Sequence, residues 1–243
     1  MSLFFAFLGV LTLALALSGL VWRSGVASLF FLLAFLAHVY ERGALLASPY
    51  QVAMLAAAFL AGFGRYYGRR PRLGAWVRAL DAAALLVALL SLHYYDRVSV
   101  EALGPVVWFH AAVFLAAYVL LTLAFLAAWL GFLQHRRLKT VPWKALEAPP
   151  LLTLARLEEP YLRAGYVFYT LGLFSGMAWA FRVWGEPLSW DAKEVLTLLA
   201  WVFFTLLFFV REPGLRRWVW TAGYLTALAA FLLAPLFGTR HPV

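Results

Sequence analysis

"VVWFHAAVFLAAYVLLTLAFLAAWLGFLQ", residues 106–134, carries no Asp, Glu, Lys or Arg from end to end. As a helix it is roughly 44 Å long, more than the ~30 Å hydrocarbon core of a bilayer. Apolar runs of about 20 residues recur on both sides of it. With breakers such as "GRRPR" (68–72) and "REPGLRR" (211–217), they predict eight helices at about 2–22, 25–41, 50–67, 73–92, 106–134, 163–183, 193–211 and 214–237. Composition agrees: 65% of residues are hydrophobic and 13% charged, against about 25% charged in soluble domains. The expectation is an all-α, polytopic membrane helical bundle of about eight transmembrane helices, forming a single integral membrane domain over 1–243. No basic residue precedes the run from Ser2 to Trp22, which therefore reads as a retained span and not a cleaved signal.

The 20 Lys and Arg residues orient the bundle. Loops after the first, third, fifth and seventh spans hold Arg23; Arg65, Arg69, Arg70, Arg72; Arg136, Arg137, Lys139, Lys144, Arg156, Arg163; and Arg211, Arg216, Arg217. Arg78, near the start of the fourth span, falls on the same side. The other side has Arg42, Arg97, Arg182, Lys193 and Arg240. The positive-inside rule puts both termini outside, in a cytoplasmic (inner) membrane with its functional face external. The net charge of +9 is thus topology, and nucleic acid is not an expected partner; membrane lipid is. The connector from 136 to 163 suits an interfacial amphipathic helix through Leu151, Leu152, Leu154, Leu157 and Tyr161. Gly172 and Gly176 form a GxxxG that permits close helix approach.

In this orientation His38, His93, His110 and His241 lie toward the outer face, with "WGEPLSWDAKE" (184–194) between the sixth and seventh spans. Trp, Tyr and His gather at membrane interfaces for amphipathic reasons alone, which accounts for Tyr94, Tyr95, Trp22 and Trp108. It does not account for Asp191, Lys193 and Glu194 beside Trp190, because charges at membrane depth are costly. Those acids also suit the N-terminus of the seventh helix. Cysteine is absent, so disulfides, thiolate metal sites and CxxC redox chemistry are excluded. A flat, apolar, anionic ligand with a metal centre fits what remains. Haem takes axial histidines, aromatic faces cover a porphyrin, and Arg or Lys pairs with propionates.

The segment "GMAWAFRVWGEPLSWDAKEVLTLLAW" (176–201) resembles the tryptophan-rich WWD signature of the haem-handling cytochrome c assembly family, of the CcsA/ResC type or the related HemX type. Trp179, Ala180, Trp184, Gly185, Trp190, Asp191, Lys193 and Glu194 fall in register with it. "PPLLTLARLEEPYLRAGYVFYTLGLFSG" (149–176) resembles the family's approach to the motif, "WFHAAVFLAAY" (108–118) its histidine-bearing helix, and "AHVYERGALLASPY" (37–50), more loosely, an earlier stretch. The resemblance implies b-type haem held under the loop by two external histidines, which map onto His110 and His241, and its presentation to the CxxCH cysteines of an apocytochrome c. Trp179, Trp184, Gly185 and Trp190 would contact the macrocycle, Asp191 would order the loop, and Arg182 and Lys193 are candidate propionate partners. His38 and His93 are secondary candidates for the iron. A ResB/CcsB-type membrane partner is implied, and with it a role as a subunit of a haem-attachment synthase. The chain departs from the pattern at Leu188, in place of a tryptophan, at Ala192, in place of a common proline, and at Phe209, where a membrane-embedded histidine is expected.

Two other readings stand beside this one. A HemX-type membrane protein would regulate haem synthesis. A haem-free transporter draws its support from Asp81, placed within the fourth span, since a buried ionisable group is a functional candidate. An Arg78–Asp81 pair at helical spacing is the structural explanation of that same residue.

Overall fold

Most of the apolar sequence among the described residues is helical. The computed structural model describes residues 1–17, 22–46, 48–70, 72–95, 105–140 and 149–232. Among them are eight α-helices: α1 (Ser2–Ala16), α2 (Trp22–Arg42), α3 (Pro49–Tyr67), α4 (Gly74–Ser91), α5 (Pro105–Thr140), α6 (Leu151–Trp184), α7 (Ala192–Leu206) and α8 (Pro213–Leu232). A short 3₁₀ turn, Leu92–Tyr94, follows α4. Three stretches, Arg23–Arg42, Gly74–Tyr94 and Val106–Thr140, are each long and apolar enough to cross a bilayer unaided. The protein is a polytopic helical membrane bundle.

The helices alternate in direction, as their end-to-end contacts require. Ser2 at the start of α1, Glu41 at the end of α2 and Tyr95 after α4 meet in one cluster: Glu41 accepts from Ser2 Oγ at 2.6 Å and from Tyr95 OH at 3.0 Å. At the opposite end Tyr67, closing α3, bonds Tyr161 near the start of α6. Glu158 of α6 there accepts from Arg216 Nη2 at 2.8 Å and Trp220 Nε1 at 3.0 Å, both on α8. Arg216 also donates to the carbonyls of Leu207 and Val210, closing the C-terminus of α7. Glu212 caps α8 by accepting from the N–H groups of Leu215 and Gly214, and those bonds hold its carboxyl below the usual range.

Two apolar clusters fill the bundle. One joins α1 to α5 around Phe31, Tyr50, Met54, Trp76 and Leu80; the other joins α5 to α8 around Leu121, Tyr169, Phe204 and Trp220. The long antiparallel pair α5 and α6 belongs to both.

The boundaries differ from expectation at instructive places. The amphipathic 151–162 segment does not form a separate interfacial helix but is the first third of α6, continuous with the predicted 163–183 span. Leu154, Leu157 and Leu162 are buried, and Gly131 of α5 lies beside Leu154. This packing offsets Pro160 inside the helix, whose lost hydrogen bond and ring clash cost about 3 kcal/mol in an isolated helix. At roughly 54 Å and 51 Å, α5 and α6 exceed a bilayer core. Helix α7, by contrast, stops at Leu206 and turns, short of the expected 211. The first helix closes at Ala16, and Trp22, the expected end of that span, is instead the first residue of α2; the expected end of the eighth span falls outside the described residues.

Asp81 is buried but does not pair with Arg78, which is exposed. It faces the other way: its Oδ2 accepts from Ser24 Oγ at 2.9 Å, and its Oδ1 rests against Gly64 with no hydrogen-bond partner.

Candidate functional site

The bundle end that gathers the starts of odd-numbered helices and the ends of even-numbered ones carries the tryptophan-rich loop. Its entry is set by Gly185. Helix α6 ends at Trp184, and Gly185 adopts φ +77°, donating its N–H to Phe181 O at 2.9 Å. This left-handed C-terminal cap is the conformation glycine tolerates without strain, and an added Cβ would meet nothing within 4 Å. Gly185 therefore serves the turn through its backbone.

The loop's exit is latched. Asp191 caps α7, its Oδ1 accepting from Glu194 N at 2.9 Å. Glu194 reaches back, and its Oε2 accepts from Ser189 N at 2.6 Å and Trp190 N at 2.7 Å. This is the reciprocal logic of a capping box, with the carboxylate reaching one and two residues outward of the N-cap. It holds Trp190, a residue 69% exposed, at φ +57°, a costly backbone for a bulky side chain. The strain is maintained where a side chain is turned outward. Lys193 lies in the first turn of α7, half-buried, its carbonyl accepting from Thr197 Oγ1.

Trp179 and Trp184 meet at the end of α6 with ring centroids 4.9 Å apart and planes at 76°. Helix α7 is held against α6 by Trp201 Nε1 donating to Thr170 Oγ1 at 3.0 Å, by the Tyr166–Thr205 hydroxyl pair at 3.0 Å, and by Tyr169 OH donating to Thr197 O at 3.2 Å. These bonds fix the angle at which the loop leaves the bundle.

The histidines part company. His110 of α5 lies on α6, its Nδ1 2.9 Å from Gly172 O and 3.2 Å from Ser175 Oγ. A carbonyl only accepts, so Nδ1 carries the proton and Nε2 is the basic nitrogen, the tautomer found in metal-ligating histidines held by an outer partner. Trp179 follows on α6 less than one turn beyond Gly176, against which the His110 ring lies, and Trp184 stands about 12 Å further along the helix than Gly176.

His38 is fully buried. Its Nε2 donates to Tyr95 O at 3.1 Å and its Nδ1 accepts from Gln51 Nε2 at 3.1 Å. With both ring nitrogens engaged by protein, and Tyr50 and Tyr95 packed on the ring, His38 joins α2, α3 and the 3₁₀ turn. His93 is exposed on that turn, edge-on to Tyr94. Arg182 is exposed; six residues beyond Gly176, it is rotated by about 240° from the face that meets His110. His241 lies outside the described residues.

Two features of the site were missed or undervalued in the sequence. Glu194 matched the motif but was not assigned to the site, although the D-x-x-E spacing signals a capping box. Gly176 was read only as half of a helix-packing pair, and no sequence signal says that His110 lands on it.

A family profile described as "Cytochrome C assembly protein" matches residues 2–240. Among curated relatives, "Cytochrome c biogenesis protein CcsA" of Chlamydomonas reinhardtii is 30% identical over 124 residues, covering 51% of this chain and 34% of that one. The protein of that name from Prochlorococcus marinus (strain MIT 9215) is 36% identical over 76 residues, 28% of this chain and 24% of that one. The one from Cyanidium caldarium is 36% identical over 59 residues, 24% of this chain and 20% of that one. The chain spans about a third or less of the length of these relatives.

Proposed function

The chain belongs to the cytochrome C assembly protein family, and from that premise we propose that it is a haem-handling membrane protein of cytochrome c biogenesis. It holds b-type haem against the 184–191 loop and presents it to an apocytochrome c on the outer face of the cytoplasmic membrane. The observation that carries the reading is His110, whose Nδ1–H is fixed by Gly172 O of α6 so that Nε2 is the basic nitrogen, on the same helix that ends in the Trp179–Trp184 pair.

The residues fit haem better than a bare metal ion. Among the described residues no three His, Asp or Glu side chains are grouped to hold an ion, whereas one oriented imidazole with indole faces suits a porphyrin. His110 and His241 are the residues that would hold the haem iron. Trp179, Trp184 and Trp190 cover the macrocycle. Lys193 and Arg182 are the candidate propionate partners, Arg182 the less favoured for its position on the helix. Asp191 and Glu194 hold the loop and do not touch the ligand. When bound, haem supplies the porphyrin to which the cysteine sulfurs of a CxxCH segment become joined. Those sulfurs come from the apocytochrome, because this chain has no cysteine. The chain binds and orients, and excludes water with its indoles.

The outer assignment of the loop follows from fifteen basic residues against five. A ResB/CcsB-type membrane protein is the expected partner. The reading is tested by expressing the full chain with and without that partner and apocytochrome c, then measuring acid-acetone-extractable haem on the chain and covalent haem on the cytochrome. Extractable haem on this chain, lost as covalent haem appears, is the expected result. Haem that stays on the chain whatever the partner would instead favour regulation of haem synthesis. A chain that never carries haem would overturn the proposal.

A further inference from the structure

Glycines 165, 172 and 176 of α6 all face α5, but they meet different things. A Cβ on Gly165 would stand 2.8 Å from Leu121 Cγ, and one on Gly172 would stand 2.8 Å from Phe114 Cδ2. A Cβ on Gly176 would stand 2.6 Å from His110 Cε1 and 3.1 Å from its Nδ1. Contacts under 3.0 Å force something to move, and the His110 ring has little room to yield. Its Nδ1 is bonded to Gly172 O and Ser175 Oγ, and its ring meets Phe114 in a T-shaped contact with centroids 4.9 Å apart. Phe114 is itself held by Tyr169 at 5.1 Å. Ser175 Oγ also donates to Gly172 O at 2.9 Å, so the turn that receives the imidazole is internally braced.

We infer that the Gly172–Gly176 turn of α6 is a seat for the His110 imidazole, in which Gly176 sets the position of the ring and Gly172 O with Ser175 Oγ sets its tautomer. These are positioning residues, acting on the ligand through His110 alone. The inference deepens the haem reading and rests on it for its purpose, though not for its geometry. A GxxxG in a membrane helix ordinarily serves backbone approach. Here the second glycine is required by the imidazole that packs on it, and the orienting partner on Nδ1 tunes the basicity of Nε2.

The test uses the full chain in detergent, with ¹⁵N-labelled histidine and no haem. The His110 signals are identified by their loss in His110→Gln. The wild type is expected to give an Nδ1–H tautomer with unprotonated Nε2. Gly176→Ala is expected to abolish that pattern, and Gly165→Ala, which crowds the same interface away from the histidine, to keep it. After haem addition, Gly176→Ala should lose at least tenfold in occupancy and recover with added imidazole, while Gly165→Ala keeps wild-type ligation. Should Gly176→Ala fail to fold, Ser175→Ala carries the test, with a shifted Nδ1 proton signal and a shifted haem reduction potential at unchanged occupancy. Identical behaviour of Gly165→Ala and Gly176→Ala, or a Ser175→Ala protein unchanged in both readouts, overturns the inference. The expected tautomer in a wild type that takes up no haem leaves the seat standing and removes the haem reading instead.

Discussion

Replacing Glu194 by Ala removes the acceptor of both the Ser189 and the Trp190 N–H groups while leaving the Asp191 cap of α7 in place. Hydrogen bonds to a charged group contribute roughly 1.5–3 kcal/mol each, and the site is only partly buried, so the lower bound for the pair, about 3 kcal/mol, is the appropriate figure. Against this, the Trp190 backbone relaxes from φ +57°, recovering about 1 kcal/mol. The net loss of loop order is about 2 kcal/mol, equivalent to roughly 30-fold in the population of the closed loop and in haem affinity. Glu194→Gln keeps an acceptor oxygen but loses the charge, and about half the effect is expected. Amide exchange at Ser189 and Trp190 and a haem titration of the purified chain measure both consequences. Protection and affinity in Glu194→Ala equal to wild type would refute the latch.

Three further outcomes are expected. Gly185→Ala costs about 1 kcal/mol through its left-handed backbone alone, seen as a lower unfolding temperature, since the added Cβ meets no atom within 4 Å; an unchanged temperature would show that the cap is not under strain. His38→Ala destabilises the bundle by about 2–4 kcal/mol, having lost the bonds to Tyr95 O and Gln51, yet keeps the wild-type iron spectrum; a changed spectrum would make His38 a ligand. Asp81→Asn retains the acceptor for Ser24, takes an ionisable group out of the buried interior and therefore lowers neither thermal stability nor haem content; loss of function in a correctly folded Asp81→Asn protein would favour the transport reading.

The helices were legible because a run such as 106–134 has no other stable form in lipid, where every backbone polar group must be satisfied within the segment. The lengths of α6 and α7 were not. Pro160 and a mixed polar surface hide the continuity of α6, which exists only because α5 lies alongside to bury Leu154 and Leu157. In the loop, Asp191 could be read from its spacing as a cap, and the structure has it so. The histidines could not be ranked from sequence, since His38 and His110 both lie near helix ends beside aromatic residues. What distinguishes them is a tertiary fact, the helices they join: Tyr95 O and Gln51 of α3 hold His38, while Gly172 O of α6 orients His110.

The central claim, that this chain binds haem through His110, is tested most directly by the visible absorption spectrum of the gently purified full-length protein beside that of His110→Ala. The wild type should give the Soret and split α/β bands of a six-coordinate, low-spin haem when reduced, and His110→Ala should lose them and regain them with added imidazole. A His110→Ala protein with an unaltered spectrum would contradict the account.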